Sequence, residues 1–347
     1  MNGQRYRAAI IGLGYIGGAD QISGDALGQS LKDLDGTHFE ALSKNPRVEL
    51  VAGSSRDEGR RQRFAARSQA RTYPDWRTML AEEKPDIVSV ATYAPQHAEI
   101  TIACAQSGVR AIFCEKPVAT RLPDAGRMVQ ACQAAGALLI VNHNRRFHPN
   151  FRRLRDLLAA GALGDLTSAL LQWTTGRLGA VGTHVIDALC MLIGQKVSAV
   201  SGTLDWSGRP DCRGPQFHDP GAWGMMQMGD GMRAFVNAPD YGSIPLQLLI
   251  SGSKGRATVM GNAVTLDFWD GRREHWPNAG SDPSSMDQAV EEIVAWLDGR
   301  APFMYNAQDA VDTLEAILAF HASHAANGAW VTLPLTDADR TREVQSG

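Results

Sequence analysis

The feature that most constrains the fold is an alternation of short β-rich runs with longer amphipathic stretches across residues 1–145. This alternation is typical of βαβ units, in which parallel strands form a sheet that helices cover on both faces. The strand candidates are 6–11, 47–53, 86–92, 110–114 and 137–142, and the helix candidates are 57–69, 75–83, 96–107 and 122–135. The sequence therefore predicts an α/β fold, a doubly wound parallel sheet of the Rossmann type.

Beyond residue 145 the pattern changes to one helix at 150–160, followed by strand-like runs with few helices between them. Successive strands of this kind predict antiparallel pairing. The runs are 166–173, 197–204, 231–238, 244–250, 256–260 and 263–269. We expect a dinucleotide-binding domain at 1–145, an α+β domain with a mostly antiparallel open sheet at 146–335, and a tail at 336–347. Two late helices, 285–298 and 307–325, are candidates to pack back onto the first domain.

Composition restricts the partners of the chain. Hydrophobic residues make up 44% and charged residues 20%, the net charge is −3, and like charges do not form blocks. These values exclude a disordered chain and predict a small-molecule ligand rather than nucleic acid or an anionic membrane. No apolar run is long enough for a membrane span or a signal peptide, so we expect a cytoplasmic protein. The five cysteines lack CxxC spacing, which predicts reduced packing residues and no metal site.

A glycine motif follows the first strand directly. "GLGYIG" at residues 12–17 fits GxGxxG with Gly12, Gly14 and Gly17, and Leu13, Tyr15 and Ile16 lie between them. The first glycine allows the turn, the second lets the backbone approach a pyrophosphate, and the third allows close helix packing. The motif alone would also fit an ordinary glycine-rich turn. Its position at the start of a β/α series favours a nucleotide site, to which the helix N-terminus would add positive potential.

The residues that would bind the adenine ribose decide between NAD and NADP. Asp33 and Asp35 have the usual spacing from the motif, but they lie in a polar, glycine-rich stretch at 18–36 that resembles an insertion. The second predicted strand, 47–53, is instead followed by Ser54, Ser55 and Arg56. A hydroxyl beside a guanidinium can bind a 2'-phosphate that a carboxylate would repel. This favours NADP, with NAD as the alternative if Arg56 is only solvated and Ser54 only a helix cap.

A charged pair stands at the end of another predicted buried strand. In "FCEKPVAT", residues 113–120, Glu115 and Lys116 precede Pro117, which cannot continue a ladder. The pair could belong to a simple strand-ending turn with Lys116 in solvent. However, ligands of such sheets bind at the carboxyl ends of the strands.

Four stretches together resemble the glucose-fructose oxidoreductase, inositol dehydrogenase and MocA family. They are "GLGYIG", "YAPQHAEITIACAQSGVRAIFCEKPVAT" (93–120), "VNHNRRFHPNFRRL" (141–154) and "GTHVIDALCMLIG" (182–194). The resemblance implies that Lys116 lies beside the nicotinamide and the substrate hydroxyl, and that His184 is the catalytic histidine. Asp187, one helical turn later, is a further catalytic candidate, near enough to orient the His184 ring or to touch the substrate. The resemblance further implies cofactor contacts near Thr92, Pro95, His97, Glu115 and Asn142.

These roles agree with the chemistry of the side chains. Oxidation of an alcohol requires removal of a hydroxyl proton, for which a histidine is suited, and an ammonium can stabilise the developing alkoxide. Without the resemblance, His184 could be a core or capping histidine and His97 a helix-start residue. Arg145 is a candidate substrate contact, but Arg145 and Arg146 could equally form a structural ion-pair hub.

One position departs from the family pattern. Many relatives have an aspartate four residues before the catalytic histidine, where this chain has Ala180. We therefore expect a substrate that presents fewer hydroxyls or a bulkier group beside Ala180. Asp187, His218 or Asp219 would then supply polar contacts instead.

The leading hypothesis is an NADP(H)-dependent oxidoreductase that interconverts a secondary hydroxyl and a ketone on a sugar, polyol or sugar derivative. Two alternatives are a glycosidase that retains its nicotinamide cofactor and acts by transient oxidation, and a non-catalytic dinucleotide-binding regulator. The open sheet of the second domain needs a cover, which favours a homodimer or homotetramer.

Overall fold

A computed structural model describes residues 5–173, 177–207, 217–240, 245–278 and 282–344. The chain forms two compact units. The first comprises residues 1–119, 124–144 and 281–308, and the second comprises 120–123, 145–280 and 309–347. The two late helices thus differ in placement: residues 285–297 belong to the first unit, whereas most of the following helix belongs to the second.

The strands and helices of the described residues are as follows. The strands are β1 (Tyr6–Ile11), β2 (Val48–Ser54), β3 (Arg71–Tyr73), β4 (Ile87–Val90), β5 (Ala111–Cys114), β6 (Leu138–Val141), β7 (Leu166–Gln172), β8 (Val197–Asp205), β9 (Gly221–Met228), β10 (Arg233–Ala238), β11 (Gln247–Gly252), β12 (Gly255–Met260), β13 (Ala263–Phe268), β14 (Arg273–Trp276) and β15 (Val331–Thr332). The helices are α1 (Tyr15–Gly18), α2 (Gln21–Asp25), α3 (His38–Lys44), α4 (Glu58–Ser68), α5 (Trp76–Glu83), α6 (His97–Gln106), α7 (Leu122–Ala135), α8 (Pro149–Ala159), α9 (Thr183–Ile193), α10 (Ser285–Leu297), α11 (Ala307–Ala325) and α12 (Asp337–Arg340).

The first unit contains a six-stranded parallel sheet in the order β3-β2-β1-β4-β5-β6. The direction of winding reverses between β1 and β4, so the loops after these strands separate there and leave the crevice in which such sheets bind ligands. The parallel sheet is confirmed. The edge strand β3 was not predicted, because its three residues are too few to show a periodic pattern.

The stretch at 18–36 interrupts the first βα crossover. Helix α1 has only four residues, and the chain passes through α2 before the longer α3 begins. Arg63 of α4 anchors the stretch through a bidentate ion pair with buried Asp20, at 2.7 and 2.8 Å. The Tyr15 hydroxyl donates to the Ser30 carbonyl at 2.5 Å. The helix whose N-terminus we expected to add positive potential at the turn is therefore only four residues long, too short to contribute an appreciable dipole there.

Helix α3 is fixed at both ends. Thr37 caps its N-terminus by accepting from the Glu40 N–H at 3.2 Å, while the Thr37 hydroxyl donates to the Glu40 carboxylate at 2.9 Å. At the other end, Lys44 pairs with Asp287 of α10 at 3.1 Å. Helix α10 therefore covers α3 within the first unit.

The second unit contains a nine-stranded sheet in the order β14-β13-β12-β11-β7-β10-β9-β8-β15. Among the strands that the structure describes in this sheet, only β7 and β10 pair in parallel, so the predicted mostly antiparallel sheet is confirmed. Strand β9 was not predicted, because its glycines weaken the β signal. Gly224 of β9 lies opposite Gly202 of β8, and a side chain on either glycine would collide with the buried ring of Phe320.

The cysteines of the described residues are free thiols: Cys104, Cys114, Cys132 and Cys190. Burial raises the pKa of Cys132 to about 11 and that of Cys190 to about 12, so these thiols stay protonated. Cys212 lies outside the described residues. Among the helices that the structure describes, none combines the length and apolar character needed to cross a bilayer.

Candidate functional site

The glycine turn after β1 is shaped by close backbone contacts. Gly12 has φ +101°, and a Cβ there would lie 2.4 Å from the Ala91 carbonyl oxygen. A Cβ on Gly17 would lie 2.0 Å from the Gly12 carbonyl oxygen. Only glycine fits at either position. At Gly14, by contrast, the nearest atom to a Cβ would be the Arg60 guanidinium at 3.7 Å, so the turn is open to a ligand on that side.

The residues between the glycines serve the turn in different ways. The side chain of Leu13 is buried, and that of Tyr15 is directed to Ser30. Both could therefore face a dinucleotide only through backbone groups. Ile16 is half-buried. Arg60 of α4, which we did not single out from the sequence, places a cation beside the turn where α1 is too short to supply a dipole.

At the end of β2, Ser54 is buried, Ser55 is half-buried and Arg56 is exposed. The first carboxylate after them, Asp57, caps α4 by accepting from the Arg60 N–H at 2.8 Å. The other tempting carboxylate, Asp35, accepts from the Ser285 N–H of α10 at 3.1 Å. Asp57 and Asp35 thus both accept hydrogen bonds from helix N-termini. The side chains left at the end of β2 are those of Ser54, Ser55 and Arg56.

The loop after β4 contains Thr92, Pro95 and His97. Pro95 is exposed, whereas His97 is fully buried and bridges two loops. Its Nδ1 lies 2.8 Å from the Pro117 carbonyl oxygen and its Nε2 lies 2.9 Å from the Thr92 carbonyl oxygen. Burial lowers the pKa of His97, and the two carbonyl contacts only partly offset this. The structure thus gives the His97 ring a loop-holding role instead of the predicted cofactor contact.

The ends of β5 and β6 meet at the carboxylate of Glu115. Its Oε1 accepts from Asn142 Nδ2 at 2.7 Å and from His38 Nε2 at 3.1 Å, and its Oε2 accepts from the Lys116 N–H at 3.3 Å. Burial raises the pKa of Glu115, but the His38 hydrogen bond and charge, the charge of Lys116 and the Asn142 bond outweigh it and lower that pKa to about 2. Glu115 is therefore an ionised internal anchor, and half-buried Lys116 follows it directly.

The residues at these strand ends fit a nicotinamide dinucleotide. Within the described part of the chain, Thr92 Oγ1 and Asn142 Oδ1 are buried atoms without a hydrogen-bond partner. Buried polar atoms of this kind are normally satisfied, so both are available to a ligand. The open turn at Gly14, with Arg60 beside it, suits a pyrophosphate.

In the second unit, His184 and Asp187 lie on α9, as the spacing implies. His184 is half-buried, but Asp187 is fully buried. Asp187 accepts from Arg146 Nε at 2.8 Å and from Nη2 at 2.7 Å, and Arg146 Nη1 also donates to Asp309 at 2.9 Å. Burial opposes the charge of Arg146, but the pairing with Asp187 raises the pKa of Arg146 above its usual value.

The ion pair argues against Asp187 as a substrate contact and supports a structural role for Arg146. Because both Asp187 oxygens face Arg146 inside the protein, Asp187 offers no surface to a substrate and anchors α9 instead. Arg146 is thus the structural hub that we considered. Arg145 is half-buried, with its guanidinium 5.9 Å from the centre of the Phe151 ring.

The predicted substrate position at Ala180 is also corrected. Its side chain is 2% exposed, inside the turn that leads into α9. A carboxylate still occupies this region, because buried Asp219 accepts from the Gly179 N–H at 2.6 Å and from the Ala180 N–H at 2.7 Å. Asp219 therefore stabilises the start of the segment that bears His184, whereas His218 is exposed.

Two functional candidates escaped the sequence analysis. His38 and Arg60 reach the site from α3 and α4, at positions far in sequence from the motifs. The sequence did contain a signal for His38. The stretch "THFE" matches the capping-box pattern, which predicts that His38 lies in the first turn of a helix, on the same face as Ala41 and Leu42. Arg60 had no comparable signal, because α4 contains several arginines.

Comparisons with known proteins find a family and individual relatives to which this chain is similar. Residues 6–143 match the family described as "Oxidoreductase family, NAD-binding Rossmann fold". Inositol 2-dehydrogenase 2 of Saccharopolyspora erythraea is 31% identical over 271 residues, which cover 73% of this chain and 77% of that protein. D-apiose dehydrogenase of Paraburkholderia graminis is 36% identical over 161 residues, 46% of this chain, and the match spans only 38% of that enzyme's length.

The fold is also found among solved structures. A levoglucosan dehydrogenase in complex with NADH and levoglucosan superposes with a TM-score of 0.78. The match covers 96% of this chain and 100% of that one, at 20% sequence identity. At this identity the likeness concerns the fold alone.

The buried pair of Arg146 and Asp187 yields a stability prediction. Asp187→Ala should lower the free energy of unfolding by about 3–5 kcal/mol, because it leaves a buried guanidinium with one partner fewer. Asp309→Ala, at the exposed end of the same network, should cost less. Urea denaturation followed by tryptophan fluorescence measures both values. Wild-type stability of Asp187→Ala would show that the pair does not anchor α9.

Proposed function

Because the chain belongs to the Gfo/Idh/MocA oxidoreductase family, we propose that it is an NADP(H)-dependent enzyme that interconverts a secondary hydroxyl and a ketone on a sugar, polyol or sugar derivative. The observation that carries the proposal is the junction at the ends of β4, β5 and β6, where Thr92 and Asn142 have unsatisfied buried atoms and Lys116 follows an ionised carboxylate. The relatives named for inositol and D-apiose support the substrate class.

We propose distinct roles for two side chains. A nicotinamide dinucleotide held by the residues at these strand ends would supply the hydride chemistry. Lys116 stabilises the negative charge that develops on the substrate oxygen, which a fixed ammonium does effectively in a site that excludes water. His184 takes the hydroxyl proton during oxidation and returns it during reduction. Arg145 contributes to substrate binding through its guanidinium, which can donate to hydroxyl oxygens.

The end of β2 supports a preference for NADP. A carboxylate that would bind the ribose hydroxyls of NAD is missing at Ser54 and Ser55, and Asp57 is used as the cap of α4. The 2'-phosphate of NADP would instead meet the Ser55 hydroxyl and the exposed Arg56 guanidinium. Arg61 supports this loop by donating to the Ser55 and Arg56 carbonyls at 2.7 and 2.9 Å.

The open face of the second sheet supports a homodimer or homotetramer. Phe235 of β10, which is 44% exposed, lies opposite Leu170 of β7 and Met225 of β9. Leu249 of β11 extends the row on the other side of Leu170. The neighbours of these four residues along their strands are buried, apart from half-buried Gly224. An apolar row of this kind is suited to a second copy of the same face, which would cover it symmetrically.

We expect NADPH to bind roughly tenfold or more tightly than NADH, because a guanidinium–phosphate contact is worth more than about 1.4 kcal/mol. Ser55→Asp should reverse the preference, and Arg56→Ala should weaken NADPH binding while leaving NADH binding nearly unchanged. Calorimetric titration measures these affinities, with Arg272→Ala, an exposed arginine of the second unit, as the charge-matched control. Tighter binding of NADH by the wild type would disprove the assignment of the β2 end.

Lys116→Ala and His184→Ala should each lower kcat by roughly 10²- to 10⁴-fold, the range for loss of a positioned acid–base or electrostatic group. Affinity for NADPH should change much less. The assay is a panel of sugars and polyols followed by the absorbance of reduced nicotinamide, with the exposed His275→Ala as control. Normal turnover by folded His184→Ala would remove His184 from the mechanism. Retained cofactor without net reduction would contradict a dehydrogenase.

Phe235→Lys should shift the protein toward monomers, because it places a charge in the centre of the apolar row. Light scattering after gel filtration measures the molar mass. Met304→Lys, at an exposed apolar residue outside the sheet, is the control and should leave the assembly unchanged. A monomeric wild type, or a Phe235→Lys protein that assembles like the wild type, would show that this face is not the interface.

A further inference from the structure

The histidine at the start of α3 is connected to the proposed site through buried groups only. His38 and Ser89 are both fully buried, and Glu115 is 6% exposed. The His38 ring joins them, with Nδ1 2.9 Å from Ser89 Oγ and Nε2 3.1 Å from Glu115 Oε1. The ring edge also packs against Phe113 of β5, with the ring centres 4.7 Å apart. The orientation of His38 is therefore fixed on three sides.

The ionised Glu115 carboxylate determines the tautomer of His38 and the orientation of the Asn142 amide. An ionised carboxylate can only accept, so the proton of His38 must be on Nε2 and the amide group of Asn142 must turn Nδ2 toward Glu115. This choice leaves Asn142 Oδ1 directed away from Glu115. Within the described residues, Asn142 Oδ1 is one of the buried side-chain atoms that have no hydrogen-bond partner.

The same carboxylate holds the backbone at Lys116. The Lys116 N–H donates to Oε2 while His38 and Asn142 share Oε1, so the two oxygens have different tasks. Loss of the His38 donor would free the carboxylate to rotate. Both the peptide of Lys116 and the amide of Asn142 would then lose their fixed direction.

We propose that His38 is a positioning residue that acts through Glu115 on Lys116 and Asn142. In this arrangement Asn142 Oδ1 is a fixed acceptor for an N–H or O–H of the bound ligand, of which the carboxamide of a nicotinamide is one example. The inference rests on the proposed function, since it assigns the ammonium of Lys116 to the reacting end of the site. His38 itself touches neither substrate nor cofactor.

The test compares two substitutions of His38. His38→Leu keeps apolar packing against Phe113 but removes the donor to Glu115, whereas His38→Gln keeps a side-chain N–H donor. We expect kcat to fall roughly 10- to 100-fold in His38→Leu, as for other supporting partners of a site, with little change in substrate KM. His38→Gln should retain most of the activity.

Binding of a cofactor fragment distinguishes a local effect at the nicotinamide end from a general loss of the folded binding site. Adenosine 2',5'-bisphosphate lacks the nicotinamide, so His38→Leu should bind it as the wild type does and should bind NADPH several-fold more weakly. The matched control is Thr37→Ala, which removes the cap of the same helix at a cost of about 1 kcal/mol without touching Glu115. Its kcat and its affinity for NADPH should equal those of the wild type.

Wild-type kcat and NADPH affinity in His38→Leu would overturn the proposal, as would equal losses in His38→Leu and Thr37→Ala. If His38→Leu does not fold, Glu115→Gln takes its place, because it keeps the volume and removes the charge, and it should lower kcat at least as much. If the wild type binds NADPH but oxidises no sugar or polyol, the proposed function fails. The ratio of NADPH to fragment affinities in His38→Leu then decides the positioning role separately.

Discussion

The first unit depends on the hydrogen bonds of one ionised carboxylate, Glu115, which is buried at the carboxyl end of β5 in the parallel sheet. The Glu115 carboxylate would be costly inside the protein without donors. It receives them from His38 of α3, from Asn142 after β6 and from the backbone N–H of Lys116. Because these donors belong to separate segments, the carboxylate fixes where three of them meet. The chain can then place Lys116 beside a charge that does not move.

At the glycine turn, side chains of α4 supply the positive charge that a helix dipole would normally supply. The stretch at 18–36 removes the long helix that usually follows such a turn, and with it the dipole that would attract a pyrophosphate. Two arginines of α4 compensate for this loss. Arg63 forms an ion pair with Asp20 in the inserted stretch, and Arg60 places a positive charge beside Gly14. One helix thus secures the insertion and supplies positive charge to the turn.

In the second unit, buried charged side chains hold the position of α9 and of the segment before it. The bidentate pair of Arg146 and Asp187 fixes α9 from inside, and Asp219 secures the backbone before it through two N–H groups. His184 therefore extends from a segment that is held at both its start and its middle. A histidine that exchanges protons needs such support, since small displacements of an acid–base group reduce its effectiveness.

The sequence by itself determined the layered fold, the glycine turn and the end of β2, because these depend on local periodicity and on residues adjacent in the chain. It also located Lys116 and His184, through motifs that lie within single segments. Only the tertiary structure decided which carboxylates are already engaged. Asp187 pairs with an arginine 41 residues away, and Glu115 pairs with a histidine 77 residues away. Such pairings have no periodic signal, because they arise where the folded chain brings distant segments together and burial forces every charge to find a partner.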